Sequence, residues 1–519
     1  MHTLFEDKKR NRTAALSSLV FMLIAHLYCW TNEMYNHDSL LVWQANHKWQ
    51  ISLGRILHPV YLRVRGQIAA PFIIALFGGT FLVCAVILCV HLLDLKKTSS
   101  VVLCAGLLVT FETIAYLNAT YIFCFDLDML ALLLSVSAVF LLRTGTSFLR
   151  WPAAVLCCVA ALCLYQSYLQ VTVTLMLLLP LKDLLEDREP KQVLFSGLSS
   201  LAVLLCSGIL YYAALHLTWH FTGVRPTVSY NSLTMLSSLS GSGLLKSLPQ
   251  AWLHPFRYFG HSEIAHRSVS ALIYLVLFLL FAGMLLFLFF RKKRKPASVL
   301  LLFLVLLLLP LGMSFVYVLS NGLLYTIMIY SYALFPCAVL MLYDRTELPA
   351  RARAIRTLWR FAVPVLCGIL VLNHVLFSNQ LYLKKHLEAK AALSFMTRIT
   401  ERMEETEGYH AGETKVVILG HIDESPVSME RPGFDISEDN MAGTLHHLSI
   451  SYYRSYLDYF IYQLGYPIRL VPLEDLTPYI EDPRIQSMPI YPEEGSVQMI
   501  GDTLVIRLSE DLRPEEMLG

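Results

Sequence analysis

The sequence predicts a polytopic α-helical membrane protein that ends in a small α/β domain. Three observations carry that expectation. Of 519 residues, 56% are hydrophobic and only 15% charged, and the mean hydropathy of +0.54 lies well above that of a soluble enzyme. The apolar residues are gathered into runs such as ALIYLVLFLLFAGMLLFLFF at 271–290, and about 20 such residues cross a bilayer core. Basic residues cluster at alternate ends of successive runs, in KKRNR (8–12), KK (96–97), Arg143 with Arg150, RKKRK (291–295) and RARAIRTLWR (351–360). The positive-inside rule places these clusters, and the N-terminus, in the cytoplasm. The net charge of +2 identifies no partner, and nothing in the sequence points to nucleic acid.

Taken in order, the first run, 14–30, lacks a small-x-small cleavage site and reads as a retained helix. Further spans are expected near 70–94, 101–122, 127–142, 152–164, 169–181, 195–217, 268–290, 297–313, 326–342 and 361–378, about eleven in all. The pair 152–164 and 169–181 is short for two crossings. An outer turn at YQSYLQ (165–170) keeps Arg150 and LKDLLEDREPKQ (181–192) on one side. One long helix there would invert everything downstream and put RKKRK outside, against the charge rule. Residues 1–378 thus read as a transmembrane module and 379–519 as an extracytoplasmic domain. In the latter, Ala392, Met396, Ile399 and Met403 recur at helical spacing before Gly408. KVVIL (415–419), IRLV (468–471) and TLVIRL (503–508) read as strands, and 446–465 as a helix. All eleven cysteines lie at or before Cys367, so this domain is no disulfide scaffold, which fits a bacterial envelope. It also carries no P-loop, dinucleotide fingerprint, metal-type Cys/His spacing or nucleophile elbow.

Chemistry is therefore expected in the outer loops, 31–69, 118–128 and 218–267. The first opens with MYNHDSLLVWQANHKWQISLGR (34–55), a polar and aromatic cluster directly after an apolar helix. Asp38 and His37 stand there with Lys48, Arg55, Arg63 and Arg65 following. Cations at the headgroup level suit an anionic partner such as a lipid phosphate, although Arg63 and Arg65 equally suit anchors of an interfacial helix. Asp126 and Asp128 form a D-x-D that can hold a divalent cation or orient a substrate hydroxyl, while Asp128 also suits a helix cap. Trp49 suits sugar stacking or the interface, and Tyr165 and Gln166 in the outer turn suit an interfacial aromatic with a satisfied amide. Glu112, inside an apolar run, requires a polar partner.

The ordered set of motifs resembles the bacterial serotype-converting glucosyltransferase family, of the glucosyltransferase-II type. The resemblance rests on Asp38 after the first helix, WQISLGR (49–55), an aromatic-Asp pair followed by DMLALLLSVSA (128–138), YQSYL (165–169) and MPIYPEEGSVQMIGDTLVIRLS (488–509). It implies an architecture similar to GT-C membrane glycosyltransferases. It also implies transfer of a hexose, typically glucose, from a polyprenyl-phosphate carrier to a surface glycan outside the bacterial inner membrane. Under that resemblance Asp38 is the expected general base, with Asp126 the second candidate. Arg55, with Lys48, Arg63 and Arg65, meets the donor phosphate. Asp128, Trp49, Tyr165, Gln166 and His37 touch substrate. No ion is obligatory, though a divalent cation at Asp126 and Asp128 is the alternative. Two competing readings are a lipid-linked glycan flippase or transporter, and a polymerase or ligase using a diphosphate-linked donor. Polar residues gathered at one face, rather than at paired interrupted helices in the midplane, favour surface chemistry over transport.

Overall fold

The computed structural model describes residues 7–519 apart from 33, 35–38, 41–46, 146, 228–240, 261–266, 321, 323, 347–352, 422–452, 515–516 and 518–519. The chain begins with α1 (Lys8–Thr31), whose N-terminus is capped by the Asp7 carboxylate on Arg10 N. Two short helices follow, α2 (His47–Ser52) and α3 (His58–Arg65), the latter started by Pro59. Next come α4 (Pro71–Leu92), α5 (Thr98–Thr110), α6 (Glu112–Thr120), α7 (Phe125–Thr144), α8 (Arg150–Leu164), α9 (Leu169–Leu185) and α10 (Pro190–Thr222). The bundle is completed by α11 (Gly241–Gly260), α12 (Arg267–Phe290), α13 (Pro296–Met313), α14 (Phe315–Leu319), α15 (Leu334–Arg345) and α16 (Arg353–Glu405). Nine stretches among the described residues are long and apolar enough to cross a membrane.

Two of the about eleven expected spans fall short of that. The segment 152–164 is Arg150–Leu164, 15 residues, and 326–342 is helical only over Leu334–Arg345, 12 residues, preceded by two 3-10 turns. The expected helix 101–122 is likewise broken at Phe111. Broken backbone at membrane depth must find internal partners, and side chains supply them. Near the break, Leu108 O accepts from Tyr330 OH at 2.8 Å and Val109 O bonds the His26 ring at 3.0 Å. Facing it, Thr326 O accepts from Thr113 Oγ1 at 2.7 Å, and Met328 O from Gln170 Nε2 at 2.6 Å. Glu112, at the first position after the break, accepts from Tyr258 OH of α11. These side chains satisfy carbonyls that the irregular segments leave outside the helical ladder.

Members of four of the basic clusters, Arg10, Lys97, Arg143 and Arg294, meet carboxylates at one end of the bundle. Arg10 bonds Asp94, and Arg345 reaches Asp94 at 3.5 Å and Glu186 at 2.9 Å. Arg143 pairs with Asp183, Arg294 with Asp187, and Lys295 with Glu189. Arg150 starts α8 beside Gly145, and Asp183 near the end of α9 pairs with Arg143, so both legs of the short pair return to this end. The turn between them is the 3-10 stretch Gln166–Tyr168.

The 53-residue α16 is about 80 Å long at 1.5 Å per residue. The boundary expected at 378/379 falls inside it, because its apolar face continues from the bundle core at Phe377 and Leu381 into a second core at Ala392, Phe395, Met396 and Ile399. That second core also contains a four-stranded sheet, β1 (Lys415–Leu419), β2 (Arg469–Leu470), β3 (Val497–Ile500) and β4 (Thr503–Arg507), in the order β2-β1-β4-β3. β1 is parallel to β2 and β4, while β3 and β4 form a hairpin over Gly501 and Asp502. The helix expected at 446–465 is described from Tyr453 and ends in a π-turn, Tyr459–Gln463. Leu40, from the loop after α1, is completely buried in this second core.

Candidate active site

The end of the bundle away from the ion-pair belt holds a compact polar cluster. α7 itself measures the separation: Asp126 and Asp128 lie in its first turn and Arg143 in its last, about 26 Å apart along the axis. Carboxylates in a first turn are favoured by the helix dipole. Asp126 Oδ1 accepts from Leu127 N and from Arg65 Nη1, both at 3.0 Å, and Oδ2 accepts from Tyr61 OH at 2.8 Å. The Arg65 and Asp126 side chains are 2% and 0% exposed. Asp126 is therefore fully committed within the protein. Asp128 is not: among the described residues its one hydrogen bond comes from the Cys124 thiol at 3.6 Å, and Arg55 is the cation that attracts it.

His58, Tyr61 and Arg65 follow an i, i+3, i+7 spacing on α3 and so share one face. Arg63 is on the exposed side. His58 is buried, and neither of its ring nitrogens finds a partner among the described residues. Burial first, then the charges of Arg55, Arg65 and His47, lower its pKa to about 3, so the ring is neutral at physiological pH. Burial and the adjacent Asp126 charge raise the pKa of Tyr61, which stays a hydrogen-bond donor.

Arg55 is aimed by a glycine turn. Gly54 has φ +84°, and its carbonyl accepts from Tyr211 OH at 3.0 Å. Gln166 Nε2 donates to Leu53 O at 2.9 Å and to Tyr211 OH at 2.8 Å, closing a clamp around the turn. A Cβ on Gly54 would stand 2.6 Å from Tyr211 OH and 2.9 Å from Gln166 Nε2, so only glycine fits. Held this way, the Arg55 guanidinium lies over the Tyr165 ring, 4.5 Å from its centre, and Nη1 reaches Gln50 Oε1 at 3.4 Å. Arg55 Nε and Arg65 Nη2 are buried with no partner among the described residues, as is the hydroxyl of Tyr168. A buried cation with unspent N–H groups carries a desolvation penalty that an anionic ligand removes.

The structure thus brings Arg55, Arg65, Asp126, Asp128, Tyr165 and Gln166 together. Lys48 and Trp49 lie on the outer side of α2, Lys48 exposed and Trp49 42% exposed. Asp38 and His37 lie outside the described residues. Gln166 spends its amide on the 53–54 turn. Sequence reasoning passed over His58, Tyr61, Cys124, Tyr168 and Tyr211. The helical spacing inside HPVYLRVR (58–65) contained the signal for the first two. Tyr211 sits in an apolar span with no local mark.

No curated protein and no solved structure matches the chain. The family model described as Glucosyl transferase GtrII matches residues 27–343, a segment that contains every residue of the cluster and ends at the last turn of α15. The resemblance read from the motifs and the match over most of the bundle agree, and the chain belongs to the GtrII glucosyl transferase family.

Proposed function

We propose that this glucosyl transferase takes glucose from a polyprenyl-phosphate carrier and passes it, with inversion, to a cell-surface glycan at the outer face of the bacterial inner membrane. The observation that carries the reading is the pair of buried N–H groups, Arg55 Nε and Arg65 Nη2, with no partner among the described residues, near the lightly bonded carboxylate Asp128. A lipid phosphodiester supplies the oxygens they lack. Lys48 and Arg63, on the exposed rim, draw the anionic headgroup in. The apolar cavity of about 550 Å³ between α11, α12 and α13, walled by Phe259, Tyr274 and Phe335, suits the isoprenoid chain. Ring contacts from Tyr165 through Tyr168, Tyr330, Phe111 and Tyr258 to Phe259 link it to the Arg55 cluster.

In the transfer, Asp38 removes the proton from the acceptor hydroxyl as that oxygen attacks the anomeric carbon. The bond from that carbon to the phosphate oxygen breaks, and its electron pair leaves with the polyprenyl phosphate. Arg55 and Arg65 stabilise the growing charge on that phosphate, more strongly in a partly desolvated cleft than in water. Asp128 steadies oxocarbenium character or holds a sugar hydroxyl. Tyr165, Trp49 and His37 complete the sugar contacts. Asp126 is a positioning residue that holds Arg65, and Gln166 is one that holds the turn before Arg55. We assign the phosphate charge to the guanidiniums, with no obligate ion. The basic belt faces the cytoplasm by the charge rule, which puts the sheet domain outside. The burial of Leu40, two residues beyond Asp38, in the core of that domain supports an acceptor cleft between the two.

The test is incubation of the purified protein with polyprenyl-phosphate-glucose and surface glycan, following release of polyprenyl phosphate with and without chelator. Release coupled to glycan glucosylation, unchanged by chelation, is expected. Release only from a diphosphate-linked donor would move the protein to the polymerase and ligase class. Activity lost on chelation and restored by magnesium or manganese would return the phosphate charge to a cation at Asp126 and Asp128.

A further inference from the structure

At the opposite end of the bundle, the ends of α4, α7 and α9 and the starts of α8 and α10 surround a cavity of about 320 Å³. Among the described residues, four cations line it, Arg143, Arg150, Lys182 and Arg188, against one carboxylate, Asp183. Asp183 is already shared: Arg143 bonds it, and Arg188 stands 3.3 Å away. Arg150 and Lys182 donate to carbonyl oxygens, Gly145 O at 2.8 Å and Leu92 O at 3.0 Å, and neither has a carboxylate partner among the described residues. Carbonyls satisfy hydrogen-bonding groups but do not cancel charge. The cavity therefore keeps a positive excess that an anion neutralises.

Its walls identify the kind of anion. Leu142, Leu179 and Phe195 make part of the lining, and Trp151, beneath the Arg150 guanidinium at 5.6 Å, is a residue type that favours the headgroup level. Phe195 is 67% exposed, and next to the cavity Phe148 and Leu149 are 82% and 69% exposed, as side chains against hydrocarbon are. A free phosphate gains nothing from that rim; an amphiphile does. We propose that this cavity binds the phosphate headgroup of an anionic membrane phospholipid, and that the lipid ties the ends of the α8–α9 pair to α7 and α10. Basic pockets between helix ends are suited to such headgroups. The site is about 26 Å from the transfer cluster, along α7, and does not depend on the identity of the sugar donor.

The experiment uses the full chain in detergent, with phosphatidylglycerol binding read by native mass spectrometry. Phosphatidylcholine and inorganic phosphate serve as separate probes. Replacing Arg150→Gln and Arg188→Gln together is expected to weaken phosphatidylglycerol binding about 30-fold, from about fivefold for each cation at a membrane surface. Arg291→Gln with Lys293→Gln removes the same charge from exposed positions of the same end and is expected to leave binding near native. Transfer activity in detergent stays at its basal level in both. Equal weakening by the two pairs would show diffuse attraction to the basic belt and overturn the proposal. So would unchanged binding in the Arg150 and Arg188 variant, or inorganic phosphate displacing the lipid at equal concentration. Should the double variant fail to fold, Arg188→Gln alone, at a side chain 52% exposed, carries the same test with about a fivefold expected loss.

Discussion

Replacing Gly54 by alanine tests how Arg55 is aimed. The backbone there has φ +84°, a conformation that costs an L-residue about 1–2 kcal/mol. The new Cβ also meets Tyr211 OH at 2.6 Å and Gln166 Nε2 at 2.9 Å, both inside contact distance. Relief requires the clamp to open, at about 1 kcal/mol for each hydrogen bond lost, which brings the total to about 2–4 kcal/mol of stability. The functional cost is larger in relative terms, because the displaced residue is the neighbour of Arg55. A shift of about 1 Å at a charge-stabilising group is worth about 10²-fold in rate. Gly54→Ala is therefore expected to fold with a lowered unfolding midpoint and to release polyprenyl phosphate from polyprenyl-phosphate-glucose about 10²-fold more slowly. Gly223→Ala is the control, since Gly223 is also left-handed, at φ +67°, with nothing among the described residues within 4 Å of its would-be Cβ. It should lose stability and keep its rate. Adding Tyr211→Phe to Gly54→Ala removes the closer contact and should restore part of the rate. Native turnover in Gly54→Ala would refute the idea that this turn sets the position of the guanidinium proposed to bind the donor phosphate.

Asp38→Asn should fold, still bind donor, and lose at least about 10²-fold in turnover, the lower end for loss of a general base; near-native transfer there, with Asp128→Asn inactive, would transfer the base role to Asp128. Asp126→Asn leaves buried Arg65 without its counter-charge and should destabilise the protein by about 3–5 kcal/mol in thermal unfolding, whereas a change confined to turnover would make Asp126 a reacting group. His58 stays neutral down to about pH 3 when folded but protonates near 6.5 when exposed, so the unfolded state takes up the proton first as pH falls. Stability is full above that range and should be lower by about 2 kcal/mol at pH 5, a slope that His58→Gln should flatten in unfolding measured against pH.

How much of this was legible before the structure depends on which force acted at each position. The spans were readable because twenty apolar residues have few alternatives, and the placement of Arg10, Arg143 and Arg294 at one end followed from charge alone. The breaks at Phe111 and over 326–333 were not readable. Their stability comes from Tyr330, Gln170 and Thr113 bonding carbonyls far away in sequence, and local propensity carries no record of that. β3 went unread although VQMI–GD–TLVIR has two apolar runs around a glycine turn, a legible hairpin signal. At the site, residue types were informative and pairings were not. Asp126 and Asp128 stand two positions apart in an identical first turn, yet Arg65 and Tyr61, some sixty residues earlier, take one and leave the other.

The two ends of the bundle show why charge alone does not mark a functional site. The belt end is the richer in cations, but Arg345, Arg294 and Lys295 each meet a carboxylate, and their contribution is to fix helix ends. At the other end the cations are fewer, and part of their hydrogen-bonding capacity is unused among the described residues: Arg55 Nε and Arg65 Nη2 are both buried with no partner there. Folding alone does not favour that arrangement, since a water-exposed arginine avoids the desolvation penalty altogether. The glycine turn and the Gln166–Tyr211 clamp set the backbone before Arg55, and the Asp126 anchor holds the Arg65 side chain, so that these buried N–H groups stay in place. Such positioning becomes favourable once an anion arrives to use these N–H groups, which is the role proposed for the phosphate of the lipid-linked sugar.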